Sequence, residues 1–278
     1  MKAHKSFVVH GVSFGGSAPL VLIAGPCVVE SRDLVLRTAD RIQAIARKHR
    51  FPVVFKSSYK KANRTSSRSF TSIGEEKALG ILAEVRRELG MPILTDVHTE
   101  REVDLAAEVA DILQIPAFLC RQTELLQAAG RTGKAVNIKK GQFAAPADMA
   151  LAAEKVRETG NAKILLTERG TTFGYNNLVV DMRALEIMRR TGYPVVLDAT
   201  HSVQLPSGSA TTSGGQPEFI FPLARAGAAV GVNALFVETH PNPRMALSDA
   251  SSQLKLDQLG DLLRQVRAID SARRATVR

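Results

Sequence analysis

Pro52-Val53-Val54-Phe55-Lys56-Ser57-Ser58-Tyr59-Lys60-Lys61-Ala62-Asn63-Arg64-Thr65-Ser66-Ser67-Arg68 begins as a short apolar run and ends as a cation-rich loop. A run of this kind reads as a buried strand that delivers its loop to one end of a sheet. From Phe55 onward it holds five cations (Lys56, Lys60, Lys61, Arg64, Arg68) and six hydroxyls, with no carboxylate before Glu75. Like charges this close repel unless an anion settles among them, and guanidinium and hydroxyl donors suit phosphate oxygens. A solvated basic loop is the plainer reading of a charge run. That reading is weaker here, because this strand end is one of eight similar ones.

Working outward, Ser6–Phe14 alternates around His10-Gly11 and predicts a small hairpin, a plug under a barrel. Strands are then expected at Pro19–Ala24, Pro52–Phe55, Pro92–Thr95, Asp111–Ile115, Ala135–Ile138, Lys163–Leu166, Pro194–Leu197 and Ala234–Val237. Between and after them, apolar periodicity predicts helices over Arg32–His49, Glu75–Leu89, from Glu100, Thr123–Ala129, Pro146–Thr159, Val180–Arg190, Phe219–Ala226 and Leu256–Ala272. Eight strand–helix pairs in about 250 residues are what a (β/α)8 TIM barrel requires. Continuously apolar strands suit a parallel sheet covered on both faces. A doubly wound sheet is the competitor, but no Gly-rich dinucleotide fingerprint follows any strand.

The 278 residues are 45% hydrophobic and 23% charged, an ordinary globular balance, and are expected to form a single barrel domain. Residues 1–18 would be its N-terminal hairpin, 19–273 the barrel and 274–278 a basic tail. A net charge of +10 asks for anionic partners. Nucleic acid is the generic candidate, yet there is no Trp, only three Tyr and no recognisable binding motif. Arg264, Arg267, Arg273, Arg274 and Arg278 are read as a solvated helix face. Small phosphorylated substrates fit the remaining cations better, since many fall at strand ends. Cys27 and Cys120 have neither paired-ligand spacing nor a disulfide pattern. No apolar run approaches a membrane span and no signal-peptide core opens the chain. A soluble, reducing, cytoplasmic setting without membrane or nucleic-acid partners is the expectation.

A barrel gathers the C-terminal ends of its strands on one face, where active sites lie. Those ends supply Cys27, Lys56, Asp96, Gln114, Lys139, Arg169, His201 and Glu238. Any one alone is more often structural than functional, but a polar group at every end is a site signal. Lys56, Lys61, Lys139 and Arg169 form a cationic wall for a substrate carrying phosphate and carboxylate. Cys27, His201 and Glu238, with Asp249 as a further candidate, form a mixed donor set of the kind that binds a divalent metal. The competing readings are a buried thiol for Cys27 and a hydrogen-bonded structural imidazole for His201.

Several runs resemble 3-deoxy-D-manno-octulosonate 8-phosphate synthases over roughly residues 7–270. They are Lys61-Ala62-Asn63-Arg64-Thr65-Ser66, Gln114–Thr123, Asn137–Phe143, Phe173–Asp181, Asp198–Gln204 and Glu238-Thr239-His240-Pro241. The resemblance implies condensation of phosphoenolpyruvate with D-arabinose 5-phosphate and water, releasing phosphate, on the route to lipopolysaccharide. It assigns phosphoenolpyruvate to Lys56, Ser58, Lys61, Lys139 and Arg169, with Gln114 among the substrate contacts. Arabinose 5-phosphate falls to Asn63, Arg64 and Thr65, with Arg64 and Thr65 at its phosphate. These contacts, and those near Phe118 and Arg121, cross subunit boundaries in the family's homotetramer.

The family divides into a metal-dependent branch with Cys at the Cys27 position and a metal-independent branch with Asn. Gly25-Pro26-Cys27 and Ser248-Asp249-Ala250-Ser251-Ser252 both match the first branch. That implies a divalent ion (Zn, Fe, Mn or Co) on Cys27, His201, Glu238 and Asp249. Lys61, Asp96, His201 and Asp249 are the catalytic candidates, with Asp96 and His201 the ones for proton handling. Three departures from the family pattern stand out. Lys60 replaces a common Asp, Thr65 a common Ser, and Thr71-Ser72 a common Arg-Gly, which puts the conformation of this loop in question. The rival enzyme is the sister 3-deoxy-D-arabino-heptulosonate 7-phosphate synthase, using erythrose 4-phosphate. A basic nucleic-acid-binding protein is the rival of another class.

Overall fold

A computed structural model of the chain describes residues 5–62, 69–206 and 214–276. Strands β1 (Phe7–Val9) and β2 (Val12–Phe14) form an antiparallel hairpin. Six parallel strands follow: β3 (Val21–Gly25), β4 (Val53–Lys56), β5 (Ile93–Asp96), β6 (Ile112–Ile115), β7 (Ala135–Lys139) and β8 (Ile164–Glu168). After a two-rung hairpin of β9 (Thr171–Thr172) and β10 (Leu178–Val179) comes β11 (Val195–Asp198). A second short hairpin pairs β12 (Gln204–Leu205) with β13 (Gly214–Gly215), before β14 (Ala234–His240) and a short β15 (Leu254–Lys255).

The parallel strands pair in chain order, and β14 pairs with both β11 and β3, at Leu197↔Leu235 and Val237↔Ala24. The sheet therefore closes into the expected eight-stranded barrel. Around it stand α1 (Arg32–Lys48), α2 (Glu75–Leu89), α3 (Glu100–Val109), α4 (Thr123–Arg131), α5 (Met149–Arg157), α6 (Met182–Arg189), α7 (Ile220–Val230) and α8 (Leu259–Thr276).

Every barrel strand is apolar on both faces, yet the faces belong to different cores. Val21, Ile23, Val54, Leu94, Ile112, Ala135, Leu165, Val196, Ala234 and Phe236 fill the interior. Leu22, Ala24, Phe55, Ile93, Leu113, Val136, Ile138, Leu166, Leu197, Leu235 and Val237 pack outward with the helices. Strand side chains alternate between faces. The interior set therefore fixes which residue at each C-terminal end points into the mouth. Val9, Val12 and Phe14 of the N-terminal hairpin join the interior cluster, so the hairpin plugs the opposite end.

Most departures from the expected boundaries have local causes. The α6 helix starts at Met182 rather than Val180 because the Asp181 carboxylate caps it, accepting from the Arg183 amide. The α7 helix runs past Ala226 to Val230. Gly227 packs where a Cβ would lie 2.5 Å from Leu197, and the helix ends at Gly231, whose φ is +92°. The α8 helix runs into the segment expected as a basic tail. Arg273 and Arg274 are not freely solvated: both pair with Asp270, and Arg274 also donates to the Ser17 and Ala18 carbonyls.

Candidate active site

Alternation carries the interior pattern to the C-terminal ends. Val54 is followed two residues on by Lys56, Leu94 by Asp96, Ile112 by Gln114, Leu165 by Thr167, Val196 by Asp198 and Phe236 by Glu238. On β7 the inward phase takes both Asn137 and Lys139. A band of buried polar groups results. Ser58 Oγ donates to Asp96 Oδ2 at 2.6 Å, and Gln114 Nε2 to Asp96 Oδ1 at 2.6 Å. Asn137 Nδ2 donates to Gln114 Oε1 at 2.9 Å, and Thr167 Oγ1 to Asn137 Oδ1 at 2.6 Å. Five elements are thereby held in register by one chain of hydrogen bonds.

The cationic wall assembles on this band. Lys56 Nζ lies 2.6 Å from Glu238 Oε1 and donates to Ser58 Oγ and the Cys27 carbonyl. Lys139 Nζ lies 2.5 Å from Asp198 Oδ2. Arg169 Nη2 donates to Gln204 Oε1 at 2.7 Å, while its buried Nη1 has no hydrogen-bond partner among the described residues. Lys61 is also buried. Burial opposes its charge, but Cys27, Glu238, Asp96 and Asp249 raise its pKa well above the ordinary value. For Lys139 and Arg169 burial lowers the pKa against the pull of Asp198, and for Lys139 the neighbouring Lys56 and Arg169 cations add to the lowering.

The donor set for a metal meets on the same face. A ligand atom from each of Cys27, Glu238 and Asp249 lies within 4.8 Å of the others. Cys27 Sγ is 3.1 Å from Asp249 Oδ2. His201 Nε2 is 3.6 Å from Glu238 Oε2 and 3.8 Å from Asp249 Oδ2. His201 Nδ1 is turned to Asp198 Oδ2 at 2.6 Å, an outer carboxylate that orients an imidazole and leaves Nε2 for a ligand. Glu238 Oε2 is buried without a hydrogen-bond partner among the described residues. One thiol, one oriented imidazole and two carboxylates suit a borderline divalent cation. The residues therefore fit such an ion. Gln253 holds the set together, accepting from the Cys27 amide and donating to the Ser248 carbonyl. Burial, then Asp249 and Glu238, raise the Cys27 thiol pKa well above its ordinary value, so charge compensation is needed to make it a thiolate.

Asp96 is held as a carboxylate by its surroundings. Burial would raise its pKa, but Lys56, Lys61 and the Ser58 hydrogen bond hold it well below the carboxylate range. It accepts hydrogen bonds with both oxygens, which suits orientation of Ser58 and Gln114. Asn63, Arg64 and Thr65 lie outside the described residues. Phe118 (53% exposed) and Arg121 are exposed on the segment after β6.

Lys60 is not part of the wall. Its ammonium donates to Glu75 and Glu102 at 2.9 Å each, and Glu102 also accepts from the Tyr59 hydroxyl at 2.7 Å. The Lys61 amide donates to the Thr71 carbonyl, and Ser72 Oγ to the Tyr59 carbonyl. The departures at Lys60 and Thr71-Ser72 thus clamp the base of the loop. Asn137, Thr167 and Asp198 were not singled out from sequence as functional; the two-residue step from Ala135, Leu165 and Val196 would have found them. A cavity of about 420 Å³ lies at the other end of the barrel, lined by Lys5, Tyr193 and Arg273 among others. It contains none of these groups.

Buried cations beside a soft-and-hard donor set on a barrel's C-terminal face define a site suited to small anionic substrates. The family model described as "DAHP synthetase I family" matches residues 2–274, and the chain belongs to that family. It is 57% identical over 263 residues, 95% of each chain, to the 2-dehydro-3-deoxyphosphooctonate aldolase of Syntrophotalea carbinolica. Proteins of the same name from Acidithiobacillus ferrooxidans (55% over 260 residues, 94% of this chain and 92% of the relative) and Citrifermentans bemidjiense (52% over 267 residues, 96% and 98%) are similar over nearly their full lengths.

Proposed function

We propose that the chain condenses phosphoenolpyruvate with D-arabinose 5-phosphate and water, giving 3-deoxy-D-manno-octulosonate 8-phosphate and phosphate for lipopolysaccharide synthesis. The observation that carries the chemistry is Arg169. It is buried in the mouth with Lys56 and Lys139, and its Nη1 lacks an acceptor among the described residues. A buried, unmatched guanidinium is costly until an anion reaches it. The choice of sugar is supported by relatives named 2-dehydro-3-deoxyphosphooctonate aldolase at 52–57% identity. The erythrose 4-phosphate reaction remains the rival within the same family.

In this reading Lys139 and Arg169 take the phosphate of phosphoenolpyruvate, while Lys56, Ser58, Lys61 and Gln114 complete its site. Arabinose 5-phosphate falls to Asn63, Arg64 and Thr65. Two anions repel as they approach, and the cationic wall offsets that repulsion while aligning C3 of the enol with the aldehyde carbon. The C3–aldehyde bond forms as C2 becomes cationic; water then adds at C2, and phosphate leaves by carbon–oxygen cleavage. Asp96 stays ionised and orients Ser58 and Gln114. Asp198 fixes the tautomer and direction of His201. A divalent ion (Zn, Fe, Mn or Co), when held by Cys27, His201, Glu238 and Asp249, supplies Lewis acidity at a reactant oxygen.

Phe118 and Arg121 are read as lying, with Asn63-Arg64-Thr65, near the boundaries of a homotetramer. No helix of the described residues is long and apolar enough to cross a membrane; a cytoplasmic setting is part of the proposal. Assaying phosphate release with arabinose 5-phosphate and with erythrose 4-phosphate tests the reading: preference for the four-carbon sugar would overturn it.

A further inference from the structure

Lys140 and Glu168 are buried ionisable groups that the chemistry above does not use. Strand alternation puts them behind the cationic wall. Asn137 and Thr167 share one hydrogen bond inside the mouth, whereas Ile138 and Leu166 belong to the helix-side core, so Lys140 and Glu168 follow the outer phase. Lys140 is 0% exposed. Its Nζ donates to Thr171 Oγ1 at 2.9 Å, the Gly141 carbonyl at 3.2 Å and the Ala144 carbonyl at 3.4 Å, and lies 3.6 Å from Glu168 Oε1.

That same Oε1 accepts from the Arg169 amide at 3.0 Å and the Gly170 amide at 2.7 Å. Gly170 has φ +95°, and a Cβ there would meet Leu178 at 3.1 Å, so the turn has little room to shift. The loops are tied again where the Thr172 amide donates to the Gln142 carbonyl. One ammonium thus fastens the loop after β7 to the loop after β8. Its carboxylate partner shapes the turn that presents Arg169, while Lys139 adjoins the ammonium in the chain. Burial raises the Glu168 pKa against the opposing pull of Lys140 and the two amides.

We propose that Lys140 and Glu168 are a positioning pair that sets the spacing between the Lys139 ammonium and the Arg169 guanidinium, and through it the grip on the phosphate of phosphoenolpyruvate. This rests on the assignment of that phosphate to Lys139 and Arg169. Neither member of the pair touches substrate; both act through their neighbours.

Steady-state kinetics of the whole enzyme, varying each substrate, tests the pair with Lys140→Met and Lys140→Met/Glu168→Gln. Lys140→Met should raise the KM for phosphoenolpyruvate by about 10–100-fold, the scale of an ångström-sized misplacement, and leave the KM for arabinose 5-phosphate nearly unchanged. The double variant removes the stranded carboxylate charge and should recover part of that rise. A merely structural pair would shift both KM values and kcat together. That outcome, or an unchanged KM for phosphoenolpyruvate in folded Lys140→Met, overturns the proposal. Should Lys140→Met fail to fold, Thr171→Val removes one Lys140 acceptor and must show the same selectivity in smaller measure. If the wild type does not turn over the two substrates, the functional reading falls instead. Calorimetric binding of phosphoenolpyruvate alone then decides the pair: weaker binding in the variants supports it, and equal affinity overturns it.

Discussion

Lys56 and Glu238 meet inside the barrel mouth with Nζ 2.6 Å from Oε1 and both side chains 1% exposed, so the cationic wall and the metal-type donor set share a residue pair. Glu238 turns Oε1 to Lys56, while its Oε2 lies 3.6 Å from His201 Nε2. Removing one partner of a buried pair strands the other's charge, at a cost of roughly 3–5 kcal/mol. Lys56→Met should therefore lower unfolding stability by that order and weaken phosphoenolpyruvate binding in the same protein. Denaturant unfolding and a binding titration check this, and a stability loss near zero would separate the two residues.

The acid limb of stability should carry the signature of Glu238. Burial pushes its carboxyl up, but His201, Lys56 and Lys61 overcome that and hold it down to about 2. With the unfolded carboxyl at about 4.3, the group contributes about 3 kcal/mol above that pH. The contribution is lost as pH falls from about 4.3 through about 2. Glu238→Gln, compared with the wild type after chelation, should flatten the stability profile in that window; an acid limb as steep as the wild type's would contradict it.

Metal removal is the third test. Chelation should abolish turnover, and Mn²⁺, Fe²⁺, Co²⁺ or Zn²⁺ should restore it. Cys27→Ser should lose the thiolate-to-metal absorption band that Co²⁺ gives in the wild type. A fully active, metal-stripped enzyme would remove the ion from the account.

Arg64→Ala should raise the KM for arabinose 5-phosphate far more than that for phosphoenolpyruvate, because a guanidinium matches a phosphate bidentately. Equal changes in both would take Arg64 out of its assigned place.

The barrel was legible because eight apolar runs alternate with eight periodic ones, and closure by β14 against β11 and β3 completes that pattern. The site was legible at its strand ends but incomplete behind them. Strands buried on both faces hide which residues point inward, so sequence assigns no role to Asn137, Thr167 and Asp198 beside the charged Lys139, Arg169 and His201. The opposite roles of Lys139 and Lys140, adjacent and identical in type, follow only from strand phase. Lys60 was counted with the loop's cations, yet its partners Glu75 and Glu102 lie 15 and 42 residues away. No local pattern announces such a pairing. The expected helix end at Ala226 falls just before Gly227, and the proximity of Leu197 shows that glycine to be a packing contact inside α7.

The most direct test of the central claim is phosphate release from phosphoenolpyruvate and arabinose 5-phosphate by purified enzyme, with and without chelator. Release that requires both substrates and the ion is the predicted result. Phosphate released without the aldose, or no release from a folded, metal-replete protein, would contradict it.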